Sequence, residues 1–157
     1  MTIFRDSNQH NQALAMVGRL IGIDIGTKKI GIALSDESRF IATPKLIFYR
    51  KSNEKDFAQI QQIIDKNRIV GIVIGLPLPT DRDTSTGQSM LLFVEKFAEN
   101  LDEFLGKELP IFFSDERLSS FEAQEIVRSD QSMRKRDRKL YDDIAASFIL
   151  QRFLEIL

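Results

Sequence analysis

The sequence predicts an α/β domain built on a five-stranded mixed sheet, three strands antiparallel and two parallel, with helices on both faces. Three short apolar runs follow one another through tight connections in the first third of the chain. Two more apolar runs come later, each reached through a segment whose apolar residues repeat at helical spacing. A hairpin meander followed by helix-linked strands makes a mixed sheet, because helical crossovers join strands in parallel.

The elements follow in order. Leu20–Ile25 and Ile30–Leu34 are strands separated by the turn Gly26-Thr27-Lys28-Lys29. Gly31 interrupts the second run, as expected where another element passes close. Phe40–Phe48 gives a third strand. Asn53 is placed to cap a helix whose apolar residues Phe57, Ile60, Ile63 and Ile64 fall on one face. Ile69–Ile74, closed by Gly75-Leu76-Pro77, reads as a strand buried on both faces. A polar loop, Pro79–Ser89, leads into a helix carrying Leu92, Phe93, Phe97, Leu101, Phe104 and Leu105. Pro110–Phe113 is the last strand, and Ser119 or Ser120 caps a helix through about Val127. A basic loop precedes a final apolar helix, Tyr141–Ile156. Residues 1–18 are a polar, mixed extension, either loose or a short extra element. Residues 19–157 form one domain.

Composition narrows the chemistry. With 157 residues, 43% hydrophobic and 29% charged, the chain can bury a sizeable core, and no apolar run reaches the length of a membrane span. The N-terminal residues lack the apolar core of a signal peptide, so the expected location is the cytoplasm. There is no cysteine, and the single histidine, His10, lies in the polar extension. Thiol catalysis, disulfides and thiolate zinc sites are thereby excluded, and a histidine triad, zinc site or general base is disfavoured. Carboxylates, lysines, hydroxyls and a hard, oxygen-ligated metal remain. Net charge is −1, but Arg134-Lys135-Arg136-Asp137-Arg138-Lys139 is densely basic.

Asp24 stands out as a carboxylate in the apolar strand Leu20–Ile25, a costly placement unless something pairs with it. If strands one, four and five run parallel, their C-terminal ends share one sheet edge, where ligand sites in such sheets form. Asp24 and Glu116 would then meet there. Asp142, Ala145, Ala146, Ile149 and Phe153 share one side of the final helix, and the two alanines allow a close approach that brings Asp142 to the same edge. Three converging carboxylates repel one another unless a cation joins them. Mg²⁺ or Mn²⁺, one ion or a pair, suits an all-oxygen site for phosphodiester cleavage. Each acid also has a plain structural explanation: Asp24 as a turn acceptor, Glu116 as a partner for Arg117, and Asp142 as a first-turn helix residue. Lys28 and the basic residues Arg134, Lys135 and Arg136 are candidates for phosphate contact, though such a run is more often a solvated loop. The phenylalanines are mostly core by spacing, with no exposed aromatic ladder for base stacking.

Four segments occur in order: Ile23-Asp24-Ile25-Gly26-Thr27-Lys28-Lys29-Ile30-Gly31, Val73-Ile74-Gly75-Leu76-Pro77, Asp115-Glu116-Arg117-Leu118-Ser119, and Asp142-x-x-Ala145-Ala146-x-x-Ile149-Leu150. Together they resemble the YqgF (RuvX) family, from about Arg19 to the C-terminus. The resemblance implies a ribonuclease H-like fold related to Holliday-junction resolvases and a metal-dependent nuclease that processes the 5′ end of pre-16S rRNA. It implies Asp24, Glu116 and Asp142 as the catalytic, metal-binding acids. Branched DNA is the alternative substrate, and a non-catalytic RNA-binding assembly factor is the alternative role. The sequence departs from the family at Pro79-Thr80-Asp81-Arg82. Asp24-Ile25-Gly26-Thr27 also resembles the first phosphate loop of actin-like kinases, which need two such domains.

Overall fold

The computed structural model describes residues 3–4, 14, 17–77, 84–115 and 135–157. The side chains of residues 3–4, 84–88, 115 and 135–143 fall outside that description. Strands β2 (Arg19–Ile25), β3 (Lys29–Ser35) and β4 (Ala42–Tyr49) form the meander. Helix α1 (Asn53–Lys66) leads to β5 (Ile69–Leu76), and α2 (Thr84–Phe104) leads to β6 (Ile111–Asp115). The final helix is α3 (Lys135–Glu155). The five predicted strands are present, antiparallel from β2 through β4 and parallel across β2, β5 and β6. A sixth, β1 (Ile3–Phe4), pairs in parallel with Ile111 and Phe112, giving the order β1-β6-β5-β2-β3-β4. The N-terminal extension therefore contributes a short edge strand. The predicted helix from Ser119 or Ser120 to Val127 lies outside the described residues.

Alternation along the strands builds two cores. Ile21, Ile23 and Ile25 face one side with Phe57, Ile60, Ile63, Ile64, Val94, Phe97 and Leu101 of α1 and α2. Leu20, Ala33, Val73 and Phe112 face the other with Ala146, Ile149, Leu150, Phe153 and Leu154 of α3. Strand β2 is apolar on both faces because it sits between helical layers, so any polar residue in it needs a reason.

The third strand runs Ala42–Tyr49 where Phe40–Phe48 is expected, the last runs Ile111–Asp115 where Pro110–Phe113 is expected, and three helix starts differ as well. Ser52, not Asn53, caps α1: its hydroxyl accepts from the Lys55 amide at 3.2 Å, while Asn53 accepts from the Arg50 guanidinium at 3.0 Å. Helix α2 begins at Thr84, inside the stretch expected to be a loop, and leaves Leu92 on its exposed side. Helix α3 begins at Lys135, so most of the basic segment expected to be a loop is helical. Its run of charges hides helical periodicity because no apolar stripe marks it. No described helix is long and apolar enough to cross a membrane.

Candidate nuclease site

Asp24 is half-buried one residue before the end of β2, on the α3 side of the sheet. Its partner on β3 is Gly31, and the β2–β5 register, carried one residue beyond Ile23 and Ile74, sets Gly75 beside it. A glycine on either side leaves the carboxylate without neighbouring Cβ atoms on its own face of the sheet. The pocket in front of it, about 230 Å³, is lined by Asp24, Gly26, Thr27, Lys28, Lys29, Gly31 and Ile47. The hairpin turn is fixed by the Gly26 amide donating to the Lys29 carbonyl at 2.9 Å, and the Arg50 amide donates to the Lys28 carbonyl at 2.8 Å. These two bonds hold the backbone while Thr27 and Lys28 stay exposed.

Helix α3 is seated on this face at three places. A Cβ on Gly22 would lie 2.7 Å from Leu150 Cβ and 3.1 Å from the Ala146 carbonyl oxygen, so the absence of a side chain there sets the approach. The Ser114 hydroxyl donates to the Ile149 carbonyl at 3.3 Å, and the Phe112 and Phe153 rings lie 5.2 Å apart. The Gln151 amide bridges to β4, accepting from Ala42 N–H at 2.9 Å and donating to the Phe40 carbonyl at 2.9 Å. One helical turn from Phe153 back to Ile149 accompanies a step forward from Phe112 to Ser114. Helix α3 thus runs antiparallel to β6, its N-terminal half directed toward the edge where β2, β5 and β6 end.

The sequence candidates fall as follows. Asp24 and Lys28 line one pocket. Asp142, Lys135 and Arg136 belong to α3, with side chains outside the description. Glu116 and Arg134 lie outside the described residues, Glu116 directly following the last residue of β6. Among the described residues no three acidic or histidine side chains form a cluster that could hold a metal. The sequence does not foretell the place of Gly75 beside Asp24, nor the parts of Ser114 and Tyr49. Tyr49 is 69% exposed, with Lys29 Nζ 5.5 Å from its ring centroid: a single aromatic rather than a ladder.

This sheet, with its central carboxylate and its helices on both faces, is the ribonuclease H-like architecture. The junction-bound structure of RuvC from T. thermophilus covers 88% of this chain and 94% of its own, at a TM-score of 0.52 and 12% identity. The RuvX model, described as Holliday junction resolvase, matches residues 18–156, and the chain belongs to that family. A relative in Roseobacter denitrificans named "Putative pre-16S rRNA nuclease" is 37% identical over 153 residues, spanning 98% of this chain and 92% of its own length. One of the same name in Carboxydothermus hydrogenoformans is 38% identical over 136 residues, covering 87% of this chain and 95% of its own. The protein is a nuclease, a hydrolase of phosphodiester bonds.

Proposed function

We propose that this nuclease trims precursor 16S rRNA in the cytoplasm, using Asp24, Glu116 and Asp142 to hold Mg²⁺ or Mn²⁺. The observation that carries the reading is Asp24 itself: a half-buried carboxylate flanked by two glycines, at the edge where three parallel strands end. The names of relatives at 37% and 38% identity supply the substrate class.

Strand parity supports Glu116 over Asp115. Phe112 packs on the α3 side and Ser114 bonds to α3, so β6 turns its even-numbered residues to the face that carries Asp24, and Glu116 is the next even-numbered position in the sequence. Helix geometry supports Asp142. It precedes Ala146, whose carbonyl lies over Gly22, by roughly 6 Å of helix, and Asp24 lies beyond Gly22 by roughly 6.6 Å of strand.

An all-carboxylate oxygen set fits a hard divalent cation. Such an ion, when bound, polarises the phosphate and activates the attacking water. The chain's own part is to bring the phosphate there. Lys28 stands at the pocket mouth. Lys135 and Arg136 belong to the N-terminal half of α3, the half directed toward the edge that carries Asp24, which makes them candidates for phosphate contact.

The test is cleavage of precursor rRNA and of a four-way DNA junction, each in Mn²⁺ and in chelator, by wild type and by Asp24→Asn. The expected result is metal-dependent cleavage of the RNA, lowered about a thousandfold in the variant with thermal melting unchanged. Undiminished cleavage by Asp24→Asn would sink the site assignment. Preferential cleavage of the junction would move the substrate to branched DNA.

A further inference from the structure

We infer that Tyr49 is a stacking platform for an unpaired base of the substrate, which makes this nuclease selective for RNA with a single-stranded segment beside the cut. The inference rests on the nuclease reading and adds a specificity residue to it.

Four observations carry it. Asp24, Gly31 and Ile47 form one row across β2, β3 and β4, and Lys29 and Tyr49 form the next row on the same face. Phe48, between them in sequence, points into the opposite core and is 9% exposed. Alternation therefore commits Tyr49 to the face that carries Asp24. Two strand spacings and two residues of rise separate the two Cα positions by about 12 Å. Lys29 lines the Asp24 pocket and also places its ammonium over the Tyr49 ring, which makes a continuous path from carboxylate to cation to aromatic. The ring is largely in solvent, so it contributes little to the core.

A cation beside an exposed ring is the usual makeup of a single-strand site, where the cation tracks the phosphate and the ring takes the base. Bases inside a duplex already stack on both faces and cannot use such a platform without being unstacked. The pairing of Tyr49 with the catalytic edge thus separates unpaired from paired RNA. A tyrosine present only to shield the Lys29 stem would make no such distinction.

The experiment measures binding in chelator, where nothing is cut, using a labelled unpaired RNA oligonucleotide and a duplex of equal length. Tyr49→Ala should weaken binding of the unpaired strand by about 5- to 150-fold and leave the duplex unchanged. Tyr49→Phe and Tyr49→Trp should restore it. The chain has two tyrosines and no tryptophan, so in a Tyr141→Phe background the tyrosine emission comes from Tyr49 alone and should be quenched by the unpaired strand. Equal binding by wild type and Tyr49→Ala, equal losses on both RNAs, or unquenched emission would each overturn the inference. Cleavage in Mn²⁺ is read separately. Tyr49-dependent binding by a wild type that cuts no RNA would refute the nuclease reading while supporting this one.

Discussion

Adding a single methyl group at Gly22 tests whether the seat of α3 governs catalysis. The new Cβ would stand 2.7 Å from Leu150 Cβ and 3.1 Å from the Ala146 carbonyl oxygen. Carbon atoms pack best at about 3.5–4.0 Å, so the first contact is roughly 1 Å too short. Neither obstacle can rotate away, since one is a Cβ and the other a main-chain carbonyl. The helix must lift or tilt, or the strand must sink. Overpacking of this kind costs about 1–3 kcal/mol, which lowers the melting temperature by roughly 2–12 °C in a domain of this size. A shift near 1 Å in a catalytic constellation costs about a hundredfold in rate, so Gly22→Ala should lose activity out of proportion to its stability. Gly106→Ala is the control. Its φ of +70° makes alanine strained, yet the nearest atom to a Cβ there is 4.0 Å away, in the turn after α2. It should cost about 1 kcal/mol with cleavage intact. Thermal melts and single-turnover cleavage of both variants check this. Wild-type cleavage by folded Gly22→Ala would refute the claim that α3 positions the site.

Other perturbations read different parts of the molecule. Arg50 bonds Asp56 at 3.3 Å and lies over the Phe93 and Phe97 rings, while Asp56 is 2% exposed. Arg50→Ala should destabilise by about 3 kcal/mol in a denaturant titration, because a buried carboxylate loses its cation and keeps chiefly the Lys51 amide. The Ile41 amide, joined by the amides of Phe40 and of Asp36 itself and by the Arg19 charge, outweighs the opposing desolvation and holds the Asp36 carboxyl below its ordinary value. A depressed folded value means stability that is present above the unfolded value, about 3.9, and is lost as pH falls through the folded one. Asp36→Asn should therefore be less stable than wild type at neutral pH, with the gap closing in acid, as followed by melting across pH. Neutralising Arg134, Lys135 and Arg136 together should weaken RNA binding and flatten its dependence on salt. A wild-type salt slope would remove those residues from the interface.

The sequence made some of these features visible and hid others for physical reasons. Asp24 was conspicuous because a charge inside Leu20–Ile25 is expensive, and the apolar runs of β2, β3 and β5 were long enough to announce themselves. Strand β1 was hidden because two residues carry no period, and its formation depends on Ile111 and Phe112 far along the chain. The cap of α1 fell to Ser52 because Asn53 was engaged by Arg50, a contact that no local pattern encodes. Tyr49 was missed since a single aromatic at a strand end reads equally well as core or surface, and only the register with Lys29 assigns its face. Gly22 looked like one more small residue in a strand. Its purpose appears only when α3 is laid across it.

The glycines on either side of Asp24 have a further consequence. Glycine inside a strand gives up about 0.5–1 kcal/mol relative to alanine, because its unfolded chain has more freedom to lose. Gly31 and Gly75 together therefore cost the domain on the order of 1–2 kcal/mol, a noticeable share of the marginal stability typical of folded proteins. That expenditure maintains open ground around the carboxylate. Selection for thermal tolerance alone would tend to fill both positions, so a hardened version of this protein would be expected to trade its chemistry for its melting point.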